Sequence, residues 1–192
     1  MTLRPMAAGI LLSVCVACGG GSSSGNTVNG NIRGNSLHPA DAISGDLAIS
    51  SGSGTFNSVL IVLSSSSAMC AKVTASQEAK NSQYLLLGVT NFDSTGRTSA
   101  PSGAGTYSLS SITGQPPPKL ATVLYLQTDG TCSTNLSASG ISGTVTLTSA
   151  SNGSYSGTFD VMFDSGDHAT GSFTASNCAG LSQLGQSGAT CI

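Results

Sequence analysis

The sequence has no tryptophan, a single glutamate and very little charge. Charged side chains are 7% of its 192 residues, against about a quarter in an ordinary soluble domain. Six Lys and Arg stand against eight Asp and Glu. There is no basic patch of the kind a phosphate backbone needs, which excludes nucleic acid as a partner. The same shortage excludes electrostatic docking on anionic lipid. Glu78 is the only glutamate, so a glycosidase built on paired glutamates is excluded, while aspartate pairs stay open. No His-Glu-x-x-His helix and no P-loop is present. Nothing in the chain implies a cofactor.

What is present begins with an export signal. Arg4 supplies a positive start, and residues 6–16 are apolar apart from Ser13. That run suits a cleaved leader and falls short of the roughly 20 residues of a spanning helix. Ala17 is the small residue expected before a cut, and Cys18 follows it. From Gly19 to about Thr27 the chain is mostly Gly, Ser and Asn, a flexible coil with nothing apolar to bury. The expected organisation is a leader over 1–17, a tether over 18–27 and one β-rich domain over 28–192.

The leader resembles a bacterial lipoprotein signal, in which a lipobox ends in the cysteine that becomes the acylated N-terminus. The resemblance implies palmitate-type acylation of Cys18 and a membrane tether. It departs at Cys15, where such signals carry Leu. Cys15, preceded by Leu12-Ser13-Val14, is the second candidate, although Val14 is a poor small residue for that cut. A third reading is ordinary secretion with Cys18 left as a free thiol. In lipoproteins of this type an Asp after the acylated Cys signals retention in the inner membrane. Here the residue is Gly19, which implies the outer membrane of the bacterial envelope.

Composition favours β structure. Gly, Ser and Thr fill the polar positions, and long charged helix formers are scarce. Disorder is rejected because the 39% of hydrophobic residues fall in patterned runs. Strands are expected over 28–33, 41–50, 56–63, 84–92, 105–110, 121–127 and 144–148, with a turn over 34–39 and a loop over 93–103. Residues 155–163 alternate, with Tyr155, Gly157, Phe159, Val161 and Phe163 facing inward. Residues 168–175 answer with Ala169, Gly171, Phe173 and Ala175. Asn152-Gly153 and residues 164–167 are the turns of a three-stranded meander. A Gly-Thr/Ser-aromatic phrase recurs at 54–56, 105–107, 157–159 and 171–173 and is expected to mark strand starts. The one helix is expected over 68–80, with Met69, Val73 and Ala79 on one face and Thr74 and Ser76 weakening it. The fold class is therefore all-β: a single antiparallel sandwich of about eight or nine strands with one short helix, a barrel being second.

Once Cys15 leaves with the leader and Cys18 is acylated, Cys70, Cys132, Cys178 and Cys191 remain. An even number in an oxidising compartment implies two disulfides with three possible connectivities. None has CxxC spacing, which argues against zinc. The favoured pairing is Cys178–Cys191, closing a local loop at the C-terminal end, with Cys70–Cys132 across the core.

Asp160, Asp164 and Asp167 cluster around one hairpin tip, where carboxylates gather either to bind calcium or to make a tight turn. The turn is the better reading, since no calcium-loop spacing is present. His168 follows Asp167 and suggests acid–base chemistry; His38, before Pro39, has no evident partner. The leader, the Gly/Ser tether and the C-terminal run from SGTVTLTS through YSGTFDVMFDSGDHATGSFTA to a Cys together resemble uncharacterised bacterial surface lipoproteins. That resemblance implies an envelope location and a β-rich domain, and it carries no active site. Two function classes stay open. One is a non-catalytic surface module that binds a protein, glycan or small ligand or coats the envelope. The other is an envelope hydrolase using Asp160, Asp164, Asp167 or His168.

Overall fold

The computed structural model describes residues 25–51, 54–110, 116–183 and 189–192. Cys15, Cys18, the leader and the tether up to residue 24 lie outside them. In chain order the elements are β1 Thr27–Asn29, β2 Asp41–Ser51, β3 Gly54–Ser64, α1 Met69–Thr74, β4 Gln77–Glu78 and β5 Gln83–Phe92. There follow β6 Thr98–Ser99, β7 Gly105–Leu109, β8 Lys119–Thr128, β9 Thr134–Ser151, β10 Ser154–Phe163 and β11 His168–Asn177. A 3-10 turn, Ala179–Gln183, and β12, Thr190–Cys191, complete them.

The class is all-β with one short helix. Ten strands form one sheet in the order β1-β11-β10-β9-β7-β8-β5-β3-β2, with β6 alongside β5. Pairing is mostly antiparallel; β7 runs parallel to β8. The sheet curls until β11, the strand next to its β1 edge, meets the other edge, where Ser176 and Asn177 lie parallel to Ile43 and Ser44 of β2. Two residue pairs make that seam, so the sheet surrounds its core without forming a regular barrel. A separate two-stranded sheet joins β4 to β12.

The period-two pattern positions the core. Along β10, Tyr155, Phe159, Val161 and Phe163 are buried while Thr158, Asp160 and Met162 are exposed. Ala169, Phe173 and Ala175 of β11 share the interior with Leu85, Leu87, Val145 and Leu147. The Asn152-Gly153 turn has positive φ at both residues, the geometry of a two-residue hairpin loop. Of the four Gly-Thr/Ser-aromatic phrases, those at Gly54 and Gly105 begin strands. Those at Gly157 and Gly171 lie mid-strand, where close packing rather than a strand start calls for glycine.

Several expected boundaries shift for physical reasons. The first strand stops at Asn29, because Gly30 turns to φ +105 and a Cβ there would sit 2.3 Å from the His168 carbonyl. The following segment folds inward, and Ile32 and Leu37 are buried in the core. The helix covers six residues, not the thirteen expected. Thr74 Oγ1 bonds back to the Cys70 carbonyl at 2.7 Å, and Ser76 takes φ +51, which ends it. Ala68 gives no side-chain cap; instead Asp41 Oδ2 of β2 accepts the Met69 N–H at 2.8 Å.

The favoured disulfide pairing is corrected. Cys70 is bonded to Cys178 and Cys132 to Cys191. Nearness in sequence misleads here because Cys178 and Cys191 are held by different elements. The end of β11 delivers Cys178 beneath α1. The β4–β12 pair carries Cys191 to the turn that holds Cys132, whose Sγ lies 3.4 Å from the Glu78 carbonyl.

Candidate functional site

The hairpin carboxylates do not converge. Asp160 projects from the outer face of β10, and its Oδ1 meets His168 Nε2 at 2.7 Å, both side chains exposed. Asp164 pairs instead with Arg33 at 3.6 Å. Asp167 accepts the Ser165 hydroxyl and the Arg33 backbone N–H. Those two hydrogen bonds hold its carboxyl below the usual range, Ser165 contributing most. Arg33 also donates from Nε to the Ser137 carbonyl. Asp164 and Asp167 thus dock the loop after β1 onto the β10–β11 turn, while Asp160 and His168 form a separate pair. His38 is exposed beside Pro39. Among the described residues, no three His, Cys, Asp or Glu side chains gather as a metal-binding set.

The outer face of β2, β3, β5 and β8 offers a different feature. Successive residues of a strand point to opposite faces, and β3 is apolar on both. Val59, Ile61 and Leu63 enter the core, whereas Leu60 and Val62 face outward with Leu86, Leu124 and Leu126 of the neighbouring strands. A strand of eleven residues is about 36 Å long and a helix of six about 9 Å. Helix α1 therefore roofs only one end of this apolar face.

Two hollows result. At the open end a groove of about 560 Å³ is lined by Leu47, Phe56, Leu60, Leu86, Leu120 and Leu124 among others. The Phe56 and Phe92 rings meet near it at 6.1 Å between centroids. At the roofed end a cavity of about 350 Å³ lies between the sheet and the segment formed by α1 and the 3-10 turn. Its walls are Ile43, Val62, Met69, Val73, Tyr84, Leu86, Leu126 and Leu181, with Gln77, Glu78 and Ala189 at one side. Leu86 borders both hollows.

Both disulfides frame the roofed cavity. Cys70–Cys178 ties α1 to the end of β11, and Cys132–Cys191 ties β12, which pairs with β4, to the turn after β8. Burial pushes the Tyr84 phenol above its ordinary pKa, and the nearby Glu78 carboxylate adds to the rise; hydrogen bonds to Ser82 and Ala79 oppose it. The sequence marks 56–63 as the most apolar strand, buried on both sides, but does not show the hollows along its outer face. The signal for that face was the unbroken apolar run over 59–63 beside a helix too short to cover it. None of Asp160, Asp164, Asp167 or His168 lines either hollow. No protein family, curated protein or solved structure matches the chain.

Proposed function

We propose that the chain is a bacterial lipoprotein anchored in the outer membrane through Cys18, carrying a non-catalytic β-domain that acts as a surface or binding module. The carrying observation is the order of the N-terminal sequence: a short apolar leader, Ala17-Cys18, then a Gly/Ser tether. The two disulfides support it, since such bonds persist in oxidising compartments. Lipid anchoring follows from hydrocarbon burial. Each buried CH2 contributes about 0.8 kcal/mol, so one chain holds marginally and two or more hold stably. The dispersal of the hairpin carboxylates, set beside two apolar hollows, favours binding over hydrolysis.

The test is intact mass of membrane-extracted protein, with and without reduction. The expected species begins at Cys18, carries acyl mass and gains four protons on reduction. A chain that retains residues 1–17, or begins at Cys18 without acyl mass, overturns the anchor.

A further inference from the structure

We propose that the roofed cavity binds a small cationic amphiphile, its hydrocarbon chain lying between α1 and the sheet and its ammonium head beside Glu78. The proposal rests on the binding-module reading and gives that module a ligand class.

The cavity has the size and character of a small-molecule site: about 350 Å³, apolar walls and few polar groups. Glu78 is the only charged side chain among its described lining residues. Neither of the ion pairs among the described residues involves it. Its charge is felt at Tyr84, in the cavity wall. An anionic head placed there meets like charge, a neutral head gains little, and a cation gains a partner in a low-dielectric setting. The sign fits the acidic balance of the whole chain.

The cavity is also built in advance. One disulfide fixes its roof, and the other ties β12, the pairing partner of the strand that bears Glu78, to the turn after β8. A pre-formed site spares the ligand the cost of ordering its walls. The larger groove has no charged lining residue among those described, so it gives a head group nothing to choose by.

The test uses the purified full chain, with its lipid or without it, and a photoreactive probe. The probe is an octyl chain with a terminal diazirine and a trimethylammonium head; a second carries a carboxylate head instead. The expected result is saturable labelling around Val73, Leu86 and Leu126, mapped by peptide mass. The ammonium probe should saturate at about tenfold lower concentration than the carboxylate probe. Glu78→Gln should erase that preference while labelling persists. Val73→Trp, which fills the cavity, should abolish labelling. Label scattered in proportion to surface exposure overturns the proposal, as does a preference that survives Glu78→Gln. Glu78 is half-buried with no side-chain hydrogen bond described, so this variant decides the matter even if Val73→Trp does not fold. Labelling reads the cavity whether or not Cys18 carries lipid, so it and the intact-mass experiment fail separately.

Discussion

Phe159 lies directly across from Gly171 on the neighbouring strand, and Phe173 lies across from Gly157 in the same way. Each ring occupies the space a side chain would need. A Cβ at Gly171 would sit 2.5 Å from the Phe159 ring, and one at Gly157 would sit 2.9 Å from the Phe173 ring. Both would also clash with backbone oxygens, that of Thr27 at 2.0 Å and that of Thr146 at 2.1 Å. Gly171→Ala is therefore expected to cost about 1–3 kcal/mol by overpacking. Urea unfolding checks it. An unchanged midpoint refutes the reciprocal packing.

The carboxylate of Asp41 caps a helix that belongs to another element. Oδ2 accepts the Met69 N–H, while Oδ1 accepts that of Ala42. Asp41→Ala should cost about 1 kcal/mol, with Asp41→Asn retaining most of the cap. The comparison of their urea midpoints separates loss of the cap from loss of charge.

Tyr125 and Tyr155 are both buried, with opposite polar fates. The Tyr155 hydroxyl donates to the Pro101 carbonyl at 3.3 Å. The Tyr125 hydroxyl is buried without a partner among the described residues. Tyr125→Phe should leave stability unchanged or raise it, whereas Tyr155→Phe should cost about 0.5–1.5 kcal/mol. Equal losses in thermal unfolding would contradict this assignment.

Stability should fall at both ends of the pH scale. Burial raises the pKa of Tyr84, Tyr107, Tyr125 and Tyr155 above 10.0. The unfolded chain ionises first, so their contribution is complete below about pH 10 and is lost as pH rises through the folded values. Asp93, Asp129 and Asp167 are shifted the other way, chiefly by the hydroxyls of Thr95, Thr131 and Ser165. Their contribution is present above about pH 4 and is lost as pH falls through the lowered values. A Tm profile flat between these limits and falling outside both is the expected shape. A decline beginning near neutrality would show that other groups control it.

The meander of β9, β10 and β11 was legible because alternation of Tyr155, Phe159, Val161 and Phe163 is a local pattern. The all-β class followed from the same signal repeated along the chain. The first half of β9 was not legible. Residues 134–143 carry few apolar side chains, and their strand conformation comes from pairing with β8 over 134–139 and with β10 over 140–143. Disulfide connectivity was hidden for a related reason. It depends on where β11 and β12 deliver Cys178 and Cys191, which is a property of the whole sheet. At the candidate site, the apolar outer face was implicit in residues 56–63. That Glu78 would stand at its covered end required the β4–β12 pairing, two residues on each strand.

The seam between β2 and β11 has a consequence for how the molecule assembles. Ser44 is fully buried there, and its hydroxyl reaches the Ala175 carbonyl across 131 residues of sequence. Contacts so distant cost more chain entropy to close than the hairpins do, so they form after them. Cys178 comes immediately after the seam, with its N–H on the Ser44 carbonyl. Its bond to Cys70 thus becomes a timestamp on the last act of folding. Refolding quenched by alkylation should trap a species with Cys70 and Cys178 both modified and the β9–β10–β11 amides already protected. A thiol titration then reports topology: a free Cys178 marks a sheet still unzipped along its closing edge.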